Sequence, residues 1–549
     1  MFHRRRKLPP TLVISAKDED TIRLTPRRLP NDVHDALVEL VDGDGRRHRH
    51  YTLPITRYGA AQAFATARGI ACDPIPTCVA RLRLPRAPRA FDASRCGPVW
   101  DTLYDYQRDA IRRVVTVYES RALLADDMGL GKTRSGLAWL DLYKETPTLV
   151  LCPSYLRFHW AHGIQEHLGK EAAVLRQKKR LDVLQTSNVH IVSYDMLHGI
   201  PARAYATILC DESHYLKNRL AKRTKAAMPL LKRAAHVLLL SGTPALNRPV
   251  ELFTQLHALR PRWFPTYTKF AYRYCAAKLT QYGLDVRGAS NQDELHFILS
   301  RGLMIRRRKE DLLDLPPKTR ETWRLELPRS KLKDIERGWS EWHRLNDVLH
   351  QGTASDEAKS EAFFQRKSLM SEMMRQTCTA KKAAVQTFVA DMVARDIKFL
   401  FFAFHQEMLD AVEEVVTVDH IRIDGATPAE RRPELVRRFQ EEDSVRCAIL
   451  SIGAANAGIT LTAASVVVMG ELHWTPGILL QCEDRAHRIS QTADHVVIHY
   501  LIGARTLDER VYPMLTEKLK HLDAVVDNTT ARSMQGETTH VQELDDTHM

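Results

Sequence analysis

No run of about 18 apolar residues, the length a membrane-crossing helix needs, occurs anywhere in this 549-residue chain. The opening Met1-Phe2-His3-Arg4-Arg5-Arg6-Lys7 meets Pro9-Pro10 instead of a continuous apolar core, so it does not read as a secretory signal. Nine cysteines, at 72, 78, 96, 152, 210, 275, 378, 447 and 482, form no Cys-x-x-Cys pair and no Cys/His string at zinc-finger spacing. A disulfide scaffold and a zinc-finger module are thereby excluded, and reduced thiols in an intracellular protein are expected. There is also no repeat of fixed period and no low-complexity tract, which excludes solenoids and arrays.

What the chain has in excess is positive charge. Eighty Lys and Arg stand against 67 Asp and Glu, a net of +13. Residues 1–100 carry 18 basic and 10 acidic residues, net +8; residues 527–549 carry one basic and five acidic, net −4; the body between them keeps +9. Charge spread over such a length predicts a polyanion tracked along its backbone, not a single basic tail. Length predicts two to four domains. Residues 1–97 alternate short β-like stretches (Thr11–Ser15, His50–Pro54, Val79–Leu84) with Pro-, Gly- and Arg-rich turns, which predicts a small basic accessory domain. The polar, Thr-rich segment 527–549 predicts an acidic disordered tail.

The chemistry begins at Arg121. An apolar strand runs into Asp126-Asp127-Met128-Gly129-Leu130-Gly131-Lys132-Thr133, followed by a helical pattern. Glycines allow close backbone approach to phosphate, and a helix start offers free N–H groups. Lys132 can neutralise the β- and γ-phosphates, and Thr133 can hold Mg²⁺. A second strand ends in Asp211-Glu212-Ser213-His214. Ligands gather at the carboxyl ends of parallel strands; there Asp211 can hold Mg²⁺ and Glu212 can polarise the attacking water.

These strings, with Leu240-Ser241-Gly242-Thr243-Pro244-Ala245-Leu246-Asn247-Arg248-Pro249, resemble the first-lobe motifs of Swi/Snf-type ATPases of helicase superfamily two. The annealing-helicase, HepA-related branch is the most similar, and it shares the Asp-Asp phosphate loop and the Asp-Glu-Ser-His box. Gln481-Cys-Glu-Asp484-Arg485-Ala-His487-Arg488-Ile-Ser490-Gln491 and the Asn456/Gly458/Thr460/Thr462 turn resemble the second-lobe motifs, with Ser490 where the family has Gly.

The resemblance implies two RecA-like parallel-sheet lobes, an α/β fold with helical insertions between them. The expected boundaries are 98–258 for the first lobe, 259–380 for protrusions and linker, and 381–526 for the second. Bound ATP would touch Gln107, at its adenine edge, Met128 to Thr133 and Gly458. Arg485 and Arg488, three apart and so on one helix face, would act as arginine fingers. His214, Ser241, Thr243 and Gln481 would couple the lobes. Ser154, Ser193, Asn456, Thr460, Thr462 and Trp474 would touch nucleic acid. The basic run Arg306–Lys309 either braces the lobes, contacts DNA phosphates or is a solvated patch.

The expected function is an ATP- and Mg²⁺-dependent translocase on duplex or forked DNA. Two alternatives stand beside it: a strand-separating DNA or RNA helicase, and a DNA- or polymerase-binding regulator using the ATPase as a clamp. A monomer is expected, with no membrane partner and with residues 1–97 meeting a replication, repair or transcription protein. The location would be the nucleoid in a bacterial or phage setting and the nucleus in a eukaryotic one.

Overall fold

The structure, a computed structural model, describes residues 11–41, 46–82, 89–144, 146–177, 181–185, 187–200, 204–280, 283–350, 355–428, 430–453, 459–527 and 538–542. Within these lie two seven-stranded sheets and a four-stranded one. Every neighbouring pair in both large sheets is parallel. Parallel strands are covered on both faces and therefore read as apolar runs without alternation, as Thr148–Cys152 and Phe399–Ala403 do, each buried along its whole length.

The amino-terminal sheet holds β1 (Thr11–Ala16), β2 (Thr21–Arg27), β3 (Tyr51–Pro54) and β4 (Ala71–Asp73) in the order β3-β2-β1-β4. Leu12, Ile14, Ile22 and Leu24 pack with Leu37 of α1 (Asn31–Leu40) and with Ala61 and Ala65 of α2 (Tyr58–Ala67). The β-like stretch expected at Val79–Leu84 is instead a helix, α3 (Thr77–Leu82). Its first turn is closed by Val79 N–H donating to Pro76 O, and Cys78 and Val79 are buried in the core of the next domain.

In the first lobe, α4 (Asp105–Thr116) precedes β5 (Arg121–Leu124). Then come α5 (Lys132–Asp141), β6 (Thr148–Cys152), α6 (Arg157–Leu168), β7 (Ala173–Val174), β8 (Val189–Ser193), β9 (Thr207–Cys210), α7 (Lys222–Arg233), β10 (His236–Leu240) and α8 (Phe253–Leu259). The chain continues through α9 (Tyr267–Tyr274), a hairpin of β11 (Lys278–Thr280) and β12 (Gly283–Asp285), α10 (Gln292–Gly302) and β13 (Met304–Ile305). The sheet order is β13-β5-β10-β9-β6-β8-β7.

The second lobe opens with β14 (Lys318–Leu325), then the long pair α11 (Arg329–His350) and α12 (Asp356–Ala394), and β15 (Phe399–Ala403). After these follow α13 (Gln406–Val415), β16 (Asp419–Ile423), α14 (Arg432–Glu441), β17 (Val445–Ser451), β18 (Val466–Met469), α15 (Pro476–Glu483), β19 (Val496–Gly503), α16 (Asp508–Val526) and β20 (Thr538–Gln542). The order is β16-β17-β15-β18-β19-β14-β20.

Segment 259–380 is therefore not one insertion. Phe270, Tyr274, Leu295 and Ile298 belong to the first-lobe core, β13 extends its sheet, and β14 sits within the second-lobe sheet. The reason is apolar content: these residues need a core, whereas α11 and the first half of α12 can satisfy each other as a helical pair. The disordered tail expected from 527 is corrected over Thr538–Gln542, which pairs in parallel with β14 from Glu321 to Leu325. Trp323 stacks on His540 there, with ring centroids 4.3 Å apart.

Candidate active site

The loop between β5 and α5 bends through Gly129 (φ +92°) and Gly131 (φ +69°), a region that side chains rarely adopt. Gly131 caps α5, and a Cβ there would sit 2.5 Å from Gln107 Nε2. Gln107 is buried; its Nε2 donates to Leu130 O at 3.1 Å and its Oε1 accepts from Tyr104 N–H at 3.1 Å. The residue expected at an adenine edge thus clamps the loop and caps α4. Lys132 Nζ donates to Asp126 O (2.7 Å) and Asp127 O (2.9 Å). Burial drives its pKa down against the charges of Glu212, Asp126 and Asp127. Leu130 is buried, and Met128 and Thr133 are half-buried beside it. A Cβ on Gly242 would come within 2.6 Å of Met128 Cγ and 3.2 Å of Lys132 Nζ. The turn after β10 that carries Ser241 and Thr243 therefore lies against the phosphate loop.

At the end of β9, Asp211 Oδ2 accepts from Trp160 Nε1 at 2.9 Å and Oδ1 from Glu212 N–H at 2.9 Å. Burial, reinforced by the charge of Glu212, pushes the Asp211 carboxyl up to about 6. Glu212 moves the other way. Burial raises it, but the bond to His214 and the charges of His214, Lys132 and Arg485 outweigh that and hold it below the usual carboxylate range. Its backbone is left-handed (φ +50°), a conformation costing roughly 1–3 kcal/mol and concentrated at functional sites.

From Glu212 a continuous path crosses the cleft. His214 Nδ1 lies 3.1 Å from Glu212 Oε2 and 3.2 Å from Ser241 Oγ. Ser241 Oγ accepts from Thr243 N–H at 3.3 Å, and Thr243 Oγ1 accepts from Gln481 Nε2, on α15, at 2.9 Å. All four expected coupling residues stand on this path.

Arg485 and Arg488 are brought to the same cleft, although not on a helix face. α15 ends at Glu483, because Lys318 and Arg320 grip Glu483 (2.9 and 2.7 Å) and Lys309 grips Asp484 (2.7 Å). The arginines lie in the turn beyond. Arg485 donates to Ile459 O at 3.2 Å, while its Nε is buried with no hydrogen-bond partner among the described residues. Arg488 donates to Asp484 O and Thr460 Oγ1 (2.9 and 2.5 Å), and its Cγ is 3.8 Å from a Cβ built on Gly129. Burial and the charge of Arg485 push Arg488 down to about 9; burial lowers Arg485 as well. A guanidinium desolvated beside this loop, as Arg488 is, is relieved by a neighbouring anion.

Sequence reasoning left the Arg306–Lys309 run open among three roles, and the structure shows bracing. Arg307 forms a fork on Asp126 (Nη2–Oδ2 2.5 Å, Nε–Oδ1 3.0 Å). Arg306 bridges Asp127 (2.6 Å) and Asp527 (2.8 Å), and Lys309 N–H donates to Asp127 Oδ2 at 3.2 Å. The signal was available as charge complementarity: two acids stand in the phosphate loop where a glycine is usual, and four bases stand in the linker.

The expected nucleic-acid residues do not gather in the same way. Ser154 is exposed after β6, but Ser193 is only 2% exposed. Thr462 is 4% exposed and bonded to Gln440 and Ser490. Both are buried where a strand or turn ends against the sheet cores, so neither hydroxyl is presented to solvent. Thr460 is engaged by Arg488, and Trp474 packs half-buried against the second-lobe core. Asn456 and Gly458 lie outside the described residues. None of the described helices is long and apolar enough to cross a membrane.

Comparison with known proteins matches the SNF2-related domain over residues 106–383 and the helicase conserved C-terminal domain over 380–490. The Bos taurus DNA annealing helicase and endonuclease ZRANB3 is 39% identical over 438 residues, covering 76% of this chain and 40% of that protein. The Caenorhabditis elegans homolog of SWI/SNF-related matrix-associated actin-dependent regulator of chromatin subfamily A-like protein 1 is 37% identical over 479 residues, covering 84% of this chain and 68% of that one. The solved Sulfolobus solfataricus SWI2/SNF2 ATPase core in complex with dsDNA aligns at 22% identity over 78% of this chain and 94% of that chain, with a TM-score of 0.37. The chain thus spans well under half the length of the ZRANB3 relative.

Proposed function

The chain belongs to the SNF2-related family, and we propose that it is a DNA-stimulated ATPase that converts ATP hydrolysis into tracking along duplex or forked DNA. The path Glu212–His214–Ser241–Thr243–Gln481 carries this reading, because it joins the candidate hydrolytic carboxylate to the other lobe. In this reading Lys132 and the N–H groups at the start of α5 bind the β- and γ-phosphates. Asp211 and Thr133 hold Mg²⁺; a buried carboxyl pushed up by desolvation suits a cation. The ion, when bound, neutralises phosphate charge. Glu212 accepts a proton from the attacking water as the water oxygen bonds to the γ-phosphorus. The bond to the β-phosphate oxygen breaks, leaving ADP and inorganic phosphate. Arg485 and Arg488 stabilise the charge in transit, and its release loosens the second lobe, giving one step of translocation.

The remodelling outcome we favour is rewinding of separated strands, the activity in the ZRANB3 relative's name. A monomer working on DNA, in the nucleoid or the nucleus according to host, completes the proposal, with the amino-terminal domain as the surface for a replication or repair partner. ATPase rates with duplex, forked and single-stranded DNA and with RNA, at two salt concentrations, test it. Stimulation by duplex or forked DNA that falls with salt is expected; no stimulation by any DNA refutes it.

A further inference from the structure

Away from the cleft, three residues distant in sequence bring a thiol, an imidazole and a carboxylate together in the second lobe. Cys378 lies within α12, His405 caps α13 just after β15, and Glu471 follows β18. Their sulfur, nitrogen and oxygen atoms are within 4.8 Å of one another. His405 Nδ1 is 2.6 Å from Glu471 Oε1. Glu471 Oε2 accepts from the N–H groups of Phe404 (2.9 Å) and His405 (2.8 Å), which fixes the carboxylate plane. Cys378 and Glu471 are buried, while His405 is half-buried at the rim.

Sulfur, imidazole nitrogen and carboxylate oxygen are the donors that zinc takes. At bond lengths of about 2.0–2.3 Å a tetrahedral ion places its ligands roughly 3.3–3.8 Å apart, so the three atoms need to shift by only about 1 Å. The two amides on Glu471 supply the outer support that metal-binding carboxylates use. A thiolate in this buried position needs a cation beside it. The nearby ammonium of Lys381 is not that cation's rival: it is spent on Gly470 O, Leu501 O and Asp508.

We propose that Cys378, His405 and Glu471 form a zinc site, with water as the fourth ligand on the His405 side. The ion bonds to Sγ, Nδ1 and Oε1; the thiol proton and the proton that Nδ1 shares with Glu471 Oε1 both pass to solvent, His405 keeping its Nε2 proton, and no electron moves. The site ties α12 to the entry of α13 and to the segment Glu471–Trp474 leading into α15, so its role is to hold the second lobe together. It does not depend on the nucleotide reading.

Titration of the chelator-treated full chain with Co²⁺ tests this. One equivalent should generate a thiolate-to-cobalt absorption band that one equivalent of Zn²⁺ removes. Cys378→Ser should abolish the band, and His405→Gln should weaken binding at least about tenfold. A band that is missing from the unaltered chain, or that survives Cys378→Ser, overturns the site. Should Cys378→Ser fail to fold, His405→Gln decides alone, since that ring lies at the rim; unchanged Co²⁺ affinity in it refutes the proposal.

Discussion

Two pairs of consecutive acids, Asp126-Asp127 and Asp211-Glu212, lie in the first lobe, and their surroundings differ. Asp126 and Asp127 face full cations: Arg307 forks onto one, while Arg306 and the backbone of Lys309 take the other. Asp211 and Glu212 are hydrogen-bonded by Trp160, a backbone N–H and His214, while Lys132 and Arg485 act on Glu212 through their charge. The first pair is compensated and therefore structural. The second carries strain in its backbone and a split in its proton affinities, Asp211 up and Glu212 down, which is how a site keeps one carboxylate ionised as a base and the other ready for a cation. The contrast predicts that one pair serves stability and the other serves rate.

The largest effect is expected at Glu212. Glu212→Gln keeps the shape and removes the proposed base, so DNA-stimulated phosphate release should fall about 10²–10⁴-fold while the melting temperature stays level or rises. Steady-state phosphate release and thermal denaturation of the same sample measure both. A rate within threefold of the unaltered chain would erase the distinction between the pairs.

Asp126→Asn should do the reverse in kind. It leaves the Arg307 guanidinium, largely buried, without its partner, and breaking a buried pair costs about 3–5 kcal/mol. Denaturant unfolding should show a loss near the lower end of that range, because Arg307 keeps some contact with solvent. Loss of ATPase with unchanged stability would instead place Asp126 in the chemistry.

The pH dependence separates the pairs more finely. Asp211 has its folded pKa raised, so between about 4 and 6 the folded state binds more protons than the unfolded one. Stability from this group is thus present at the acid end and is lost as pH rises through about 6. Unfolding free energies measured without divalent cation from pH 4 to 7 should fall less steeply in Asp211→Asn than in the unaltered chain. Equal slopes would show that Asp211 is not desolvated.

How much of this was legible in advance follows from where the information sits. The lobes are written in local runs: apolar strands, glycines before Lys132, acids at the end of β9. Those signals are short-range, and so Lys132 and the acids at the end of β9 come close enough to act on one another through charge. The failures are long-range. Val79 reads as a strand until α10 offers it a helix-packing surface, and Lys318–Leu325 reads as linker until β19 pairs with it. The burial of Ser193 and Thr462 is not legible locally, because a strand's end residue does not say which way the sheet core closes over it. Arg485 and Arg488 keep their destination although the helix beneath them stops at Glu483, because the ion pairs of Glu483 and Asp484 re-aim the turn from another part of the chain.

The smallest predicted effect tests whether the functional pair is wired across the cleft. Gln481 Nε2 and Thr243 Oγ1 make the only step in the path from Glu212 that passes between lobes, and the bond is largely buried. Gln481→Ala removes one neutral hydrogen bond and leaves a threonine hydroxyl to find another partner, a loss of about 1 kcal/mol, or roughly fivefold in an equilibrium. If the bond reports nucleic-acid engagement to Glu212, the loss should appear in the ratio of DNA-stimulated to basal ATPase, which falls about fivefold, more than the basal rate itself. Thr243→Val should reproduce it, and the double variant should add little, since both remove the same contact. Additive losses in the two single variants would mean that the residues act separately and that the coupling runs through the Asp126–Asp127 brace to Lys309 and Asp484 instead.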